Sequence, residues 1–260
     1  IETDEHGFNN PKGLYLKDEV DIMLIGDSYS EGYSVHPNKT IASVLRQLGF
    51  NTISIGRAGN GPLREFASLK EYAKPLKPKI VLWQYCLNDL AELEREIELS
   101  ILKKYLYEDN YSQKLISRQK EIDKFLINFA QAEWEKEMDN EVKQKNKMNI
   151  STKNKEHEIG NHIIIKILKL SKLREMIKLV PVVTSVPKAT PSPIFRDILQ
   201  KSKQLVSNWG GKMYFVYLPD FKRYSTGEKN PDINFIMQTA TDLGVPIINI
   251  HKEIFLSHPD

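Results

Sequence analysis

The chain lacks most of the features that assign a protein to a class directly. It has one cysteine, Cys86, in 260 residues, which excludes an internal disulfide framework and a cysteine-based zinc site. Membrane spans need about 20 consecutive apolar residues. The longest apolar segment here, HIIIKILKL from His162, is shorter and carries lysines. Net charge is small: 37 basic against 34 acidic side chains leave +3, without the basic face that nucleic-acid binding requires. There is no G-x-x-x-x-G-K-[ST] loop for phosphate. The glycines of GRAGNG (56–61) run G-x-x-G-x-G, the reverse of the dinucleotide fingerprint, and no acid closes the next strand. GDSYS (26–30) places Ser30 where the G-x-S-x-G elbow needs glycine. Histidines and carboxylates show no metal-ligand spacing, so neither a metal nor a cofactor is expected.

No targeting segment is recognisable. The chain opens on Ile1 rather than Met, in IETDEHGFNNPKG, and reads as a piece of something longer. A membrane anchor in the full-length parent is compatible with this; none is expected within residues 1–260.

The apolar pattern is more informative. EVDIMLIG (19–26), NTISIG (51–56) and PKIVLWQY (78–85) read as buried strands. Helical patterns separate them: NKTIASVLRQLGF, with Thr40 as N-cap, and GPLREFASLKEYAKPL, with Pro62 near its start and Pro75 near its stop. The second half repeats the alternation. PIFRDILQKSKQLVSNWGG is helical, KMYFVYLP a strand, PDINFIMQTATDLG helical and VPIINI a final strand. LVPVVTSV (179–186) reads as a further strand or a covering loop. Between the halves, about 90 to 178, the pattern is helical. It includes a charged run over 133–158, read as a solvated helix or mobile loop, and an amphipathic stretch, IIIKILKLSKLREMIKL. The expected architecture is a three-layer α/β/α sandwich around a parallel, flavodoxin-like sheet. It forms one domain over residues 1–260, with a helical insertion at about 90–178.

Ligands of open parallel sheets gather at the carboxyl ends of the strands. Three turns of small and polar residues fall there: Gly26-Asp27-Ser28, Gly59-Asn60-Gly61 and Asn88-Asp89. Each has an ordinary structural explanation. Asp-Ser after a strand caps a helix, a glycine pair makes a tight turn, and Asn88 caps the turn it occupies. Their coincidence at one sheet edge is the stronger signal.

GDSYS, Gly59 within GRAGNG, and LNDL resemble, in that order and at intervals of about 30 residues, the first three blocks of the SGNH/GDSL hydrolase superfamily. TDEHGFNNP resembles the lead-in of a bacterial, envelope-associated branch, which implies a cell-envelope or periplasmic location. The resemblance covers residues 1–90 and, loosely, the last strand. It implies Ser28 as nucleophile, with an oxyanion hole made by the backbone N–H groups of Ser28 and Gly59 and the side-chain amide of Asn88. Asp27 and Asp89 are then orienting residues. Cys86 is a small buried residue rather than a nucleophile. The implied function is that of a serine esterase or O-acyltransferase with an acyl-serine intermediate. Its partners are a small acyl ester or an acylated glycan, above all an O-acetylated bacterial glycan, and no nucleic acid. The alternative is a non-catalytic carbohydrate-binding or scaffold protein that keeps the same fold.

Two departures stand out. Cys86 and Leu87 occupy places where the family shows glycine. The family's D-x-x-H near the chain end is matched by His258-Pro259, but Phe255 stands in place of the Asp. The family also continues past its histidine with a final helix. Either His258 is the base or the base lies beyond residue 260; His251 is the next visible candidate. His6, His36, His157 and His162 read as surface or structural.

Overall fold

A computed structural model describes residues 3–17, 19–148, 193–220, 222–227 and 230–256. Five strands form one sheet: β1 (Ile22–Ile25), β2 (Thr52–Ser54), β3 (Ile80–Tyr85), β4 (Lys212–Tyr217) and β5 (Ile247–Asn249). All neighbours are parallel and the spatial order is β2-β1-β3-β4-β5. The register runs Leu24 to Leu82 to Tyr214 across three strands. Parallel strands must be covered on both faces, which is why IMLI of β1 is apolar without alternation.

The helices in chain order are α1 (Ser28–Glu31), α2 (Ile41–Gln47), α3 (Pro62–Ser68), α4 (Lys74–Leu76), α5 (Asp89–Glu96), α6 (Ser100–Tyr107), α7 (Gln119–Met148), α8 (Pro193–Asn208), α9 (Lys222–Ser225) and α10 (Ile233–Asp242). Side chains alternate across each strand. Met23, Ile25, Trp83, Tyr85, Phe215 and Tyr217 point into the main core, against Leu63 and Phe66 of α3, Phe195 and Ile198 of α8, and Ile236 of α10. Ile22 and Leu24 point the other way, onto Ala42 and Leu45 of α2. The result is three layers, α/β/α. Trp83, Phe195 and Phe215 are wholly buried, each contributing about 2–3 kcal/mol of apolar transfer free energy.

Thr40 caps α2, its Oγ1 accepting from the Ser43 N–H at 3.1 Å. The helix expected over 61–76 is interrupted by a wider π-turn at Leu69–Ala73. That turn falls directly before Pro75, whose nitrogen cannot donate and whose ring crowds the preceding turn.

The chain divides into two compact units, residues 1–116 with 185–260, and residues 117–184. The stretch 90–116, expected in the helical insertion, lies in the sheet-bearing unit. There α5 and α6 bury Leu90, Leu93, Leu102, Tyr105 and Leu106 in the main core. In the second unit α7 is mostly exposed over its described side chains, Phe125 and Trp134 among them. The amphipathic stretch 163–179, the segment 179–186 and the charged residues 149–158 lie outside the described residues. No described helix is long and apolar enough to cross a membrane.

Candidate active site

In the order β2-β1-β3-β4-β5 the chain leaves β1 toward β2 on one side and returns to β3 on the other. The crevice of an open α/β sheet lies at such a reversal, at the carboxyl ends of the two central strands. Ser28 follows β1, Asn88 follows β3, and the Gly59 turn follows β2 alongside. Ser28, Gly59 and Asn88 are each partly exposed, while Asp27, Asn60 and Asp89 beside them are buried.

The Ser28 turn is held from three sides. Gly26 has φ 156°, and a Cβ there would lie 2.1 Å from Ser30 Oγ and 3.0 Å from the Gln84 carbonyl oxygen, so only glycine fits. Ser30 Oγ donates to Gln84 Oε1 of β3, and the Ser30 carbonyl accepts from Ser54 Oγ of β2 at 2.7 Å. Asp27 caps α1, Oδ1 accepting from the Tyr29 N–H at 2.9 Å. The same carboxyl takes the Cys86 thiol at 3.4 Å, with the Asn88 side chain and the Ser28 N–H close by. Asp27 therefore joins the β1 and β3 turns. Burial pushes its carboxyl above the ordinary range, against these donors.

Asn88 occupies the N-cap position of α5, yet its side chain makes no cap bond. It faces Asp27 instead. The β3 turn is closed by Asp89, whose Oδ2 accepts from the Cys86 N–H at 3.0 Å. Cys86 is buried, and burial pushes its thiol well up, so it is an inert donor to Asp27 rather than a thiolate. Where a glycine would leave space, this cysteine adds a bond between the two turns.

Gly59 has φ 81°, a left-handed conformation that suits glycine. Its turn is fastened by the buried Glu31, whose Oε2 accepts from the Ala58 N–H at 2.6 Å, and by the Arg57 N–H donating to the Gly26 carbonyl at 3.1 Å. Tyr29 is exposed beside Ser28, and burial, with the neighbouring Cys86, Asp220 and Asp27, raises its phenol.

Behind the turns lie buried acids. Glu65 of α3 is fully buried and neither carboxyl oxygen has a hydrogen-bond partner; the Trp83 indole N–H faces it without closing a bond of good geometry. Asp89 Oδ1 is also unpartnered. Desolvation, with the charge of Asp89 on Glu65 and of Asp27 on Asp89, raises both carboxyls well above the ordinary range. Among the described residues no cluster of three or more His, Cys, Asp or Glu has the geometry to hold a metal ion.

His251 follows β5, three strands from β1, or about 14 Å by strand spacing. Its Nε2 faces Arg223 Nη2 at 2.8 Å and its Nδ1 faces Tyr224 Oη at 2.8 Å. Arg223 only donates, so Nε2 is the acceptor and Nδ1 carries the hydrogen. Desolvation and the Arg223 charge hold the imidazole below its usual pKa. His36 is exposed and paired with Asn38, and His6 packs edge-on against Tyr15. His258, like His157 and His162, lies outside the described residues.

Several supporting residues carried no motif. Asn10 donates to Asp4 Oδ2 at 2.7 Å and bonds both the N–H and the carbonyl of Ser54. Asn9 donates to the Glu31 carbonyl at 2.7 Å. The lead-in TDEHGFNNP is thus a brace for the ends of β2 and α1. Gly56 is equally confined: a Cβ there would lie 2.3 Å from Ser30 Cβ and 2.8 Å from the Glu31 nitrogen, which is backbone. Gly56→Ala is expected to lower unfolding free energy by about 2 kcal/mol or more, because α1 must retreat from β2. An unchanged urea midpoint would show that the Ser28 turn is not packed as described.

No protein-family model matches this chain, and no curated protein matches it.

Proposed function

We propose that this chain is a serine esterase or O-acyltransferase of the SGNH/GDSL type, working through an acyl-serine. The observation that carries the reading is the meeting of three partly exposed donors or nucleophiles, Ser28, Gly59 and Asn88, at the reversal point of the sheet, with one buried carboxyl, Asp27, touching both the β1 and β3 turns. In the reaction Ser28 Oγ attacks an ester carbonyl while its proton passes to a histidine. The carbonyl oxygen becomes an oxyanion before the Ser28 and Gly59 N–H groups and the Asn88 amide. Collapse expels the alcohol, which takes the proton, and leaves acyl-Ser28. Water or a sugar hydroxyl then receives the acyl group. The substrate class is an O-acylated, above all O-acetylated, bacterial glycan in the cell envelope; this follows the resemblance alone. The base is His258 or a histidine beyond residue 260.

A second reading, a non-catalytic carbohydrate-binding or scaffold domain, is favoured by the engagement of both His251 nitrogens by Arg223 and Tyr224. A fluorophosphonate separates the two. Capture at Ser28, located by peptide mass spectrometry, supports the enzyme. No capture and no turnover of p-nitrophenyl acetate, with retained binding to O-acetylated glycan, supports the binding domain.

A further inference from the structure

The helix that begins behind Asn88 ends in an acid that reaches back to the other donor loop. Glu96, 1% exposed at the last position of α5, directs its carboxylate at the start of α3. Oε1 accepts from the Gly61 N–H at 2.7 Å, and Oε2 accepts from Leu63 at 2.8 Å and Arg64 at 3.2 Å. Helix starts are usually capped by a side chain of the N-cap residue. Here the N-cap is Gly61, which has none, and a Cβ there would strike Glu92 Cβ at 2.7 Å and Glu96 Oε2 at 3.0 Å. The cap is imported from the helix that carries Asn88. Arg64 extends the connection: its Nε lies 3.8 Å from Glu96 Oε1, and its Nη1 donates to the Gly59 carbonyl at 2.9 Å.

We propose that Glu96 is a positioning residue for the oxyanion hole: through Arg64 and the first turn of α3 its carboxylate sets the Gly59 N–H against the Asn88 amide, and the pair is aligned only while Glu96 is ionised. The inference rests on the acyl-transfer reading above. The charged form is what the site is built around, since three N–H donors and a guanidinium converge on it. Protonation turns one acceptor oxygen into a donor facing those donors and discharges the partner of Arg64.

The ionisation falls in an accessible range. Desolvation pushes Glu96 up to about 7, against the three backbone donors and Arg64. The other titratable groups facing it are Glu65 on α3 and Asp89 and Glu92 on its own helix, the last paired with Arg95 at 3.1 Å. Alignment is therefore present above about pH 7 and is lost as pH falls through it.

The test uses backbone amide resonances together with the rate of Ser28 capture by a fluorophosphonate, both followed from pH 5 to 9. In the wild-type chain the Gly61, Leu63 and Gly59 amides are expected to move together with a midpoint near 7. Glu96→Gln removes that shared transition and slows capture at pH 8 by roughly ten- to a hundredfold, the scale of a small misplacement at a reacting centre. Arg64→Gln serves if Glu96→Gln does not fold: Gly61 and Leu63 still titrate, Gly59 no longer follows, and capture slows. The proposal is overturned if the wild-type Gly59 amide does not follow Gly61, or if the folded variants keep the wild-type rate and pH profile. Absence of capture in the wild type sinks the acyl-transfer reading instead. The link from Glu96 to Gly59 is then judged by the amides alone, and it fails if they titrate apart.

Discussion

Ser28→Ala is expected to end fluorophosphonate capture and to lower hydrolysis of p-nitrophenyl acetate by roughly three powers of ten or more, leaving the small acceleration that the remaining donors provide. On the acyl-transfer reading Ser28 rather than Ser30 forms the acyl intermediate, because Ser30 is buried and spends its Oγ on Gln84. Asn88→Ala should cost about a hundredfold or more in kcat with KM little changed, because the substrate's carbonyl oxygen becomes negative before the amide only in the transition state. Histidine replacements identify the base. His251→Ala is expected to change turnover by less than about tenfold, since both ring nitrogens are engaged by Arg223 and Tyr224. His258→Ala should match the Ser28 loss. Full activity in Ser28→Ala would sink the site assignment, and loss of activity in His251→Ala at the scale of Ser28→Ala would move the base to β5.

Glu65→Gln should change the pH dependence of stability. An acid whose pKa is raised in the folded state keeps its proton after the unfolded chain has released its own. Its contribution to stability is complete at low pH and falls as pH rises from the ordinary glutamate value of 4.5 toward the folded one. Each such proton steepens the loss by about 1.4 kcal/mol per pH unit. Glu65 is fully buried, unpartnered and beside Asp89, so its carboxyl is held well above the ordinary range. In Glu65→Gln the amide cannot ionise, and urea unfolding at a series of pH values should show a slope flatter by that amount above pH 4.5. Identical slopes in wild type and variant would mean that Glu65 has a donor or a charge partner in solution.

The local patterns carried much of this architecture. Short apolar segments between helical patterns located the five described strands, and β1 and β3 show little alternation because a parallel strand buried on both faces has no polar face to show. Thr40 announced α2, and GDSYS, GRAGNG and LNDL, each following a strand, placed three turns at one sheet edge. The stretch 90–116 was less legible. Its helices have the same amphipathic pattern whether they stand apart or pack on the sheet, and only the contacts of Leu93, Leu102 and Tyr105 show that they belong to the core. The role of Asn88 was equally ambiguous, since an asparagine before a helix has the composition of a cap; the conformation turns its side chain toward Asp27 instead.

Composition and periodicity determined the class of fold, the strand ends and the identity of the polar residues there, because each depends on interactions within a few residues of the chain. Strand order, and hence which ends lie side by side, depends on pairing between residues such as Leu24 and Leu82, which no local pattern encodes. The supports of the site arise in the same way. Glu96 reaches Gly61 across 35 residues, Asn10 reaches Ser54 across 44, and Gly56 is obligatory only because Ser30 packs against it. A carboxylate on an amphipathic helix looks solvated in sequence. Only the packing of α5 against α3 removed it from water and gave it three backbone donors to hold.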